Sequence, residues 1–268
     1  MHLSLAFWFG LITGVNIYLA LWLFILFSRL WRIEITDIEI LSGFFRSRAY
    51  TTEINGTKLT LDYVPISVGV RYLGMLEDDY KELFDGEKQF AYLHQSKLRR
   101  SILEVIPIAI AIISIGVGVL LFDMSKGFME NLSTVWTYLE QIFRYSLWMR
   151  TDLSSIYLST LSNESLLALI YVYYGIMSLT FLITARIMSI ESLQGNGELL
   201  IYVVFFLLFV LCWFRIPWSI ASLLSVSWQG ILMGIFQYLI AISLWSSVNV
   251  LLLHLFLKNS SGLIYRRR

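Results

Sequence analysis

The sequence predicts an all-α polytopic membrane protein of about five transmembrane helices, with a small β-sheet on the cytoplasmic face between spans one and two and an outward amphipathic helix. Three observations carry this. The 268 residues are 57% hydrophobic and only 15% charged, with mean hydropathy +0.71. A soluble domain carries roughly 25% charged residues, so this chain lacks the polar surface to cover a water-soluble globule. Apolar runs of spanning length recur along the chain, and the polar residues gather in two separate segments. The formal charge of +1 provides no basic field for a nucleic acid backbone. The single cysteine, Cys212, lies in an apolar run and excludes an internal disulfide.

Crossing about 30 Å of hydrocarbon takes about 20 residues at about 1.5 Å each. Residues 3–27 form the first uncharged run and stop at Arg29 and Arg32. With no basic leader and no small-residue cleavage site, this run is predicted to be retained as a span. The further spans are expected at 102–122, 166–185, 199–214 and 231–257, the fourth being short enough to extend past Pro217. The chain is thereby divided into 1–28, 29–101, 102–122, 123–164 and 165–268. Placing 28–101, 186–198 and 258–268 on one side collects sixteen of the 20 basic residues. The positive-inside bias therefore predicts an outward amino terminus and a cytoplasmic carboxyl end, in what is read as a bacterial inner membrane.

In the polar segment 29–101, Ile33, Ile35, Asp37 and Glu39 alternate poorly, whereas Leu59, Leu61 and Tyr63 alternate with Lys58, Thr60 and Asp62. Asn55-Gly56 is a hairpin turn signal between 50–54 and 57–64. An acidic stretch comes next at 77–87, then a break at Asp85-Gly86 and a short helix over 88–100. In the outward segment, Leu132, Val135, Trp136, Leu139, Ile142, Phe143 and Leu147 recur at helical spacing, predicting one apolar face on a helix over 131–150. That face suits either the lipid interface or a protein partner.

The run Gly56-Thr57-Lys58-Leu59-Thr60-Leu61-Asp62-Tyr63-Val64-Pro65-Ile66, continued by Val70-Arg71, resembles a segment of the site-2 protease family of intramembrane zinc metalloproteases. The stretch 33–43 resembles that family's link from the first catalytic span to a membrane-associated sheet, and Glu104-Val105-Ile106-Pro107 stands where the family enters its second span. The resemblance covers roughly residues 3–200 by order and spacing, with no single motif intact. It implies an H-E-x-x-H zinc motif on the first span, whose ligand and base positions here are Leu21, Trp22 and Ile25. The family's third ligand, the aspartate of an L-D-G motif, is here Gln194. Apolar side chains and a neutral amide are not zinc ligands, so neither metal nor cofactor is expected.

Other chemistry is equally thin. His2, His94 and His254 have no His or carboxylate three or four residues on, and read as interfacial or solvated side chains. Ser225 and Ser227 lack a nucleophile motif, and Gly195-Asn196-Gly197 reads as a turn. The resulting expectation is a catalytically inactive, site-2-protease-like scaffold or regulatory subunit bound to another membrane protein or transmembrane helix and to the bilayer, not to nucleic acid. The alternatives are an active metalloprotease with displaced ligands and a transporter or channel subunit. Asn16, in the first span, and Trp136, Leu139, Phe143 and Leu147, on the outward helix, are the partner-binding candidates.

Overall fold

The computed structural model describes residues 4–41, 48–62, 67–147, 158–188, 203–204, 206–208, 210–211, 215–224 and 226–259. Four helices among them are long and apolar enough to cross a membrane: α1 (Leu5–Trp31), α4 (Lys97–Phe122), the first 21 residues of α6 (Asn163–Met188) and α8 (Trp228–Asn259). Most of the fourth expected span, 199–214, lies outside the described residues. The chain divides into two compact units, residues 1–107 with 236–268, and residues 108–235. One boundary falls after Pro107 in α4, where the missing N–H removes one rung of the helix ladder.

In the first unit, Ser4 caps α1 by accepting from the Phe7 amide. The helix ends in a Schellman motif. Arg32 adopts φ 56°, its amide donates to Arg29 O, and the Ile33 amide donates to Ser28 O at 2.8 Å. This turn throws the chain straight into a four-stranded sheet of order β2-β3-β1-β4, with β1 Ile35–Leu41, β2 Arg48–Ile54, β3 Thr57–Asp62 and β4 Ser67–Tyr72. The Asn55-Gly56 hairpin is present, both residues at positive φ (51° and 86°) as a two-residue hairpin turn needs.

Two strands that the sequence pattern did not reveal are β4 and β1, the latter an inner strand parallel to β3 and antiparallel to β4. The register of β1 against β4 shifts between Ile35 and Asp37, and such an irregularity resets the alternation that pattern reading depends on. Beyond the shift, Ile38 and Ile40 point into the core with Leu59 and Ile54, and are joined there by Tyr18, Leu21 and Ile25 of α1 and Leu253 and Leu257 of α8. On the alternate positions, the register aligns Glu53, Lys58, Asp37 and Arg71 across all four strands. Opposite charges on neighbouring strands each favour this register by about 0.2 to 1 kcal/mol.

After β4 come two short helices, α2 (Glu77–Lys81) and α3 (Asp85–Lys88). This corrects the expected break at Asp85-Gly86 and helix over 88–100: the break is where α3 begins, and α4 starts only at Lys97. The reason is local. Glu87 accepts from the Phe84 amide at 3.3 Å and Lys88 Nζ sits 2.9 Å from Asp85, so the acidic stretch closes its own helical turn.

In the second unit, α4 ends at Phe122 and an Asp123–Ser125 turn leads into α5 (Phe128–Ser146), the amphipathic helix, three residues earlier at its start and four at its end than expected. A 3-10 turn (Leu158–Thr160), α6 and the short α7 (Ile216–Leu223) come after it. Gly118 of α4 meets Ala168 O and Val172 of α6, and Gly175 of α6 meets Ala111 O and Ile115 of α4. A Cβ at either glycine would come within 2.6 to 2.7 Å of the opposing side chain. Two reciprocal glycine contacts therefore set how closely α4 and α6 approach.

Candidate functional site

The strip of α1 where the resemblance puts a metalloprotease motif is filled. Leu21 is 0% and Ile25 3% exposed, both in the core shared with the sheet and α8. Trp22, between them, donates its indole N–H to Asn249 Oδ1 of α8 at 3.0 Å, stands edge-on to Phe256 at 5.6 Å, and packs against the same core. Asn249 in turn donates to Trp245 O at 2.9 Å.

The rest of the α1–α8 seam has the same plan. At its start, a Cβ on Gly10 would lie 2.6 Å from Tyr238 O and 2.9 Å from Ala241 Cβ, and one on Gly14 would lie 2.8 Å from the Trp245 ring. Here α8 closes on a Gly-x-x-x-Gly face, its backbone against Gly10 and the Trp245 side chain against Gly14, a small-residue signal visible in the sequence yet not among the candidates it suggested. Polar pairs lie on both sides of these glycines: Ser4 with Gln237 before them, Tyr18 with Ser246 and Trp22 with Asn249 after them. At the far end Asn55, at the hairpin tip, donates to Leu257 O at 2.7 Å and Lys258 O at 3.3 Å, capping the last carbonyls of α8. Asn16 is buried on α1, so the face of 16–25 that it shares with Tyr18, Leu21 and Ile25 is packed.

A second feature of this unit is a cleft of about 970 Å³ where the end of β4 and the start of β1 face α2 and α3. Among its described lining residues, Glu34, Asp79, Glu82 and Glu87 stand against one cation, Arg71, and Phe84 is 78% exposed at its wall. Tyr72, also lining it, stacks on Tyr92 at 5.5 Å, and burial pushes its phenol well above the usual range, keeping it neutral. Lys88, beside Asp85, holds that carboxyl below the usual range. Among the described residues no group of three or more His, Cys, Asp or Glu is placed to hold a metal ion. His94 faces the Tyr80 hydroxyl at 3.4 Å, and His254 is exposed on α8. His2 and Gln194 lie outside the described residues.

The candidates on the outward helix separate. Val135 and Ile142, expected on one face with the rest, are 1% and 2% exposed, whereas Trp136 and Phe143 are 63% and 45% exposed and Leu147 is also exposed. Leu139 turns inward beside Ile142, toward Leu158, Leu166, Leu169, Tyr173 and Ile220. Arg215 donates from Nε to Ser146 O at 2.8 Å and so places a cation at the α5 carboxyl end, where the helix dipole favours it. Comparison with known protein families, curated proteins and solved structures returns no match.

Proposed function

We propose that the chain is a non-catalytic membrane subunit of the site-2 protease type that binds another membrane protein and stabilises or regulates it. One observation carries this reading: the strip holding Leu21, Trp22 and Ile25 is a packed, hydrogen-bonded seam. Zinc hydrolysis requires imidazole, thiolate or carboxylate ligands and an open position for water, and this strip offers neither. By the charge bias, residues 29–101 and the carboxyl end face the cytoplasm.

The partner contact falls on the opposite side of α1. Trp8, Val15, Leu19, Leu26 and Leu30 are exposed, 7, 4, 7 and 4 residues apart, and at about 100° per residue they fall within about 40° to 60° of one another. Gly10, Gly14, Leu21 and Ile25 occupy the other side, against α8 and the sheet. Because α8 and the sheet already fill the other side, this line is the face of α1 left for a partner span. The test places a photo-crosslinking residue at Leu19 or Leu26 in native membranes, with Val248 on α8 as the comparison site. A discrete companion chain attached at the two α1 sites and absent at Val248 supports the reading. Lipid adducts alone at all three sites, with only monomers in mild detergent, end it.

A further inference from the structure

We infer that α5 is a membrane-surface helix whose exposed apolar flank is seated in the lipid headgroup region. This goes beyond the proposed function and holds whether or not a partner is bound. Its basis is that α5 has three faces and not two. At about 100° per residue, the buried Asn131, Val135, Ile142 and Ser146 fall within an arc of about 60°. Ser133, Thr137, Glu140 and Arg144, all exposed, fall in a second arc almost opposite the first. The exposed Met129, Leu132, Trp136, Phe143 and Leu147 fall in a third, at about a right angle to both. A helix between protein and water needs only two faces. A third, apolar and rich in aromatics, requires a third medium.

The surroundings say which medium. Ser165 donates to Phe122 O at 2.6 Å, so the last turn of α4 and the first turn of α6 lie side by side. Both helices have spanning length, so that point is a membrane boundary. Asn131 donates to Asp123 O at 2.8 Å and pins the first turn of α5 at the same level. Exposed apolar residues also continue along the chain from the end of α4, through Leu120, Leu121 and Met124, into the flank. Tryptophan and other large apolar side chains on a helix with a charged opposite arc match the interface, where an apolar body meets headgroups.

The test is nitroxide accessibility in the full chain, reconstituted into phosphatidylethanolamine and phosphatidylglycerol vesicles in a Cys212→Ser background. Labels go on single cysteines replacing Trp136, Phe143, Ser133 and Thr137. At Trp136 and Phe143, relaxation by oxygen should exceed relaxation by a water-soluble nickel chelate severalfold, and at Ser133 and Thr137 the order should reverse. Labels at Trp136 and Phe143 that respond as those at Ser133 and Thr137 do would place the flank in water. Labels shielded from both reagents would mean a protein covers it. Either result overturns the inference. Should a label at Phe143 unfold the chain, one at Leu132 on the same flank carries the comparison.

Discussion

The two helix seams, α1 with α8 in one unit and α4 with α6 in the other, are both closed by glycine, and they differ in how the remainder of each seam is filled. Between α4 and α6 each helix contributes one glycine and receives the other's backbone, Gly118 under Ala168 and Gly175 under Ala111. Between α1 and α8 both glycines belong to α1 and sit at one end; from Tyr18 onward the interface is filled by large side chains and side-chain hydrogen bonds until it meets the sheet. Hydrocarbon outside the helices is as apolar as leucine, so burial of apolar surface gives no preference between protein and lipid contacts. Close approach and hydrogen bonds must supply it. The α4–α6 pair uses the first along its length and has a side-chain bond at its end, from Ser165 to the Phe122 carbonyl, whereas α1–α8 adds side-chain pairs within the seam together with a water-facing sheet that locks its far end.

The largest effect is expected at the glycines that both seams share. Leucine at Gly10 drives its Cβ into the Tyr238 carbonyl, a backbone atom with nowhere to go, and Gly118→Leu does the same against Ala168 and Val172. Each should cost about 1 to 3 kcal/mol or more in a reversible unfolding assay in detergent. Gly116→Ala, two residues from Gly118, is the control. A Cβ at Gly116 meets nothing within 4 Å, so this change should leave stability unchanged or raise it by up to about 1 kcal/mol.

A middle-sized effect is expected at the polar pairs of the α1–α8 seam. In a double-mutant cycle of Tyr18→Phe and Ser246→Ala, the two hydroxyls should show a coupling of about 0.6 to 2 kcal/mol. Ser247→Ala, one position on in α8, serves as the contrast. Its exposed hydroxyl bonds back to Ser243 O of its own helix at 2.9 Å, so its loss should show no coupling to Tyr18→Phe. Coupling of equal size at both serines would remove the role given to the Tyr18–Ser246 pair.

The smallest effect is at the joint between α1 and the sheet. Arg32 holds φ 56°, where a side chain is disfavoured by roughly 1 to 2 kcal/mol and glycine is not. Arg32→Gly should therefore raise the stability of the first unit by up to about 1 kcal/mol, read as a higher thermal midpoint. A fall would mean that the Arg32 side chain holds a contact worth more than the strain.

What the sequence displayed and what it hid divide along one line. Composition and run length expose α1, α4, α6 and α8, because a span is a local property of about 20 residues. The Asn55-Gly56 turn is legible because two positive φ values select those residues, but nothing nearby announces that Asn55 also caps α8, about 200 positions on. β1 stayed hidden behind its register shift, and β4, whose only partner is β1, stayed hidden with it. On α5, helical periodicity located the apolar positions correctly but does not distinguish one apolar environment from another, so Val135 and Trp136 looked alike. The same limit applies to Leu21 and Ile25. Sequence says that they are not metal ligands, and only the fold says that their place is taken by a seam.

Metal content is the decisive measurement, because the proposed non-catalytic reading rests on the packing at Leu21, Trp22 and Ile25. The intact chain, purified in mild detergent without chelator and analysed for bound metals, should carry zinc far below one equivalent. Titrated zinc should leave the unfolding midpoint where it was, since an ion that binds only the folded state raises it. One zinc per chain, lost together with folded-state stabilisation when His94 and His254 are replaced, would contradict the non-catalytic reading and restore hydrolysis as the chain's chemistry.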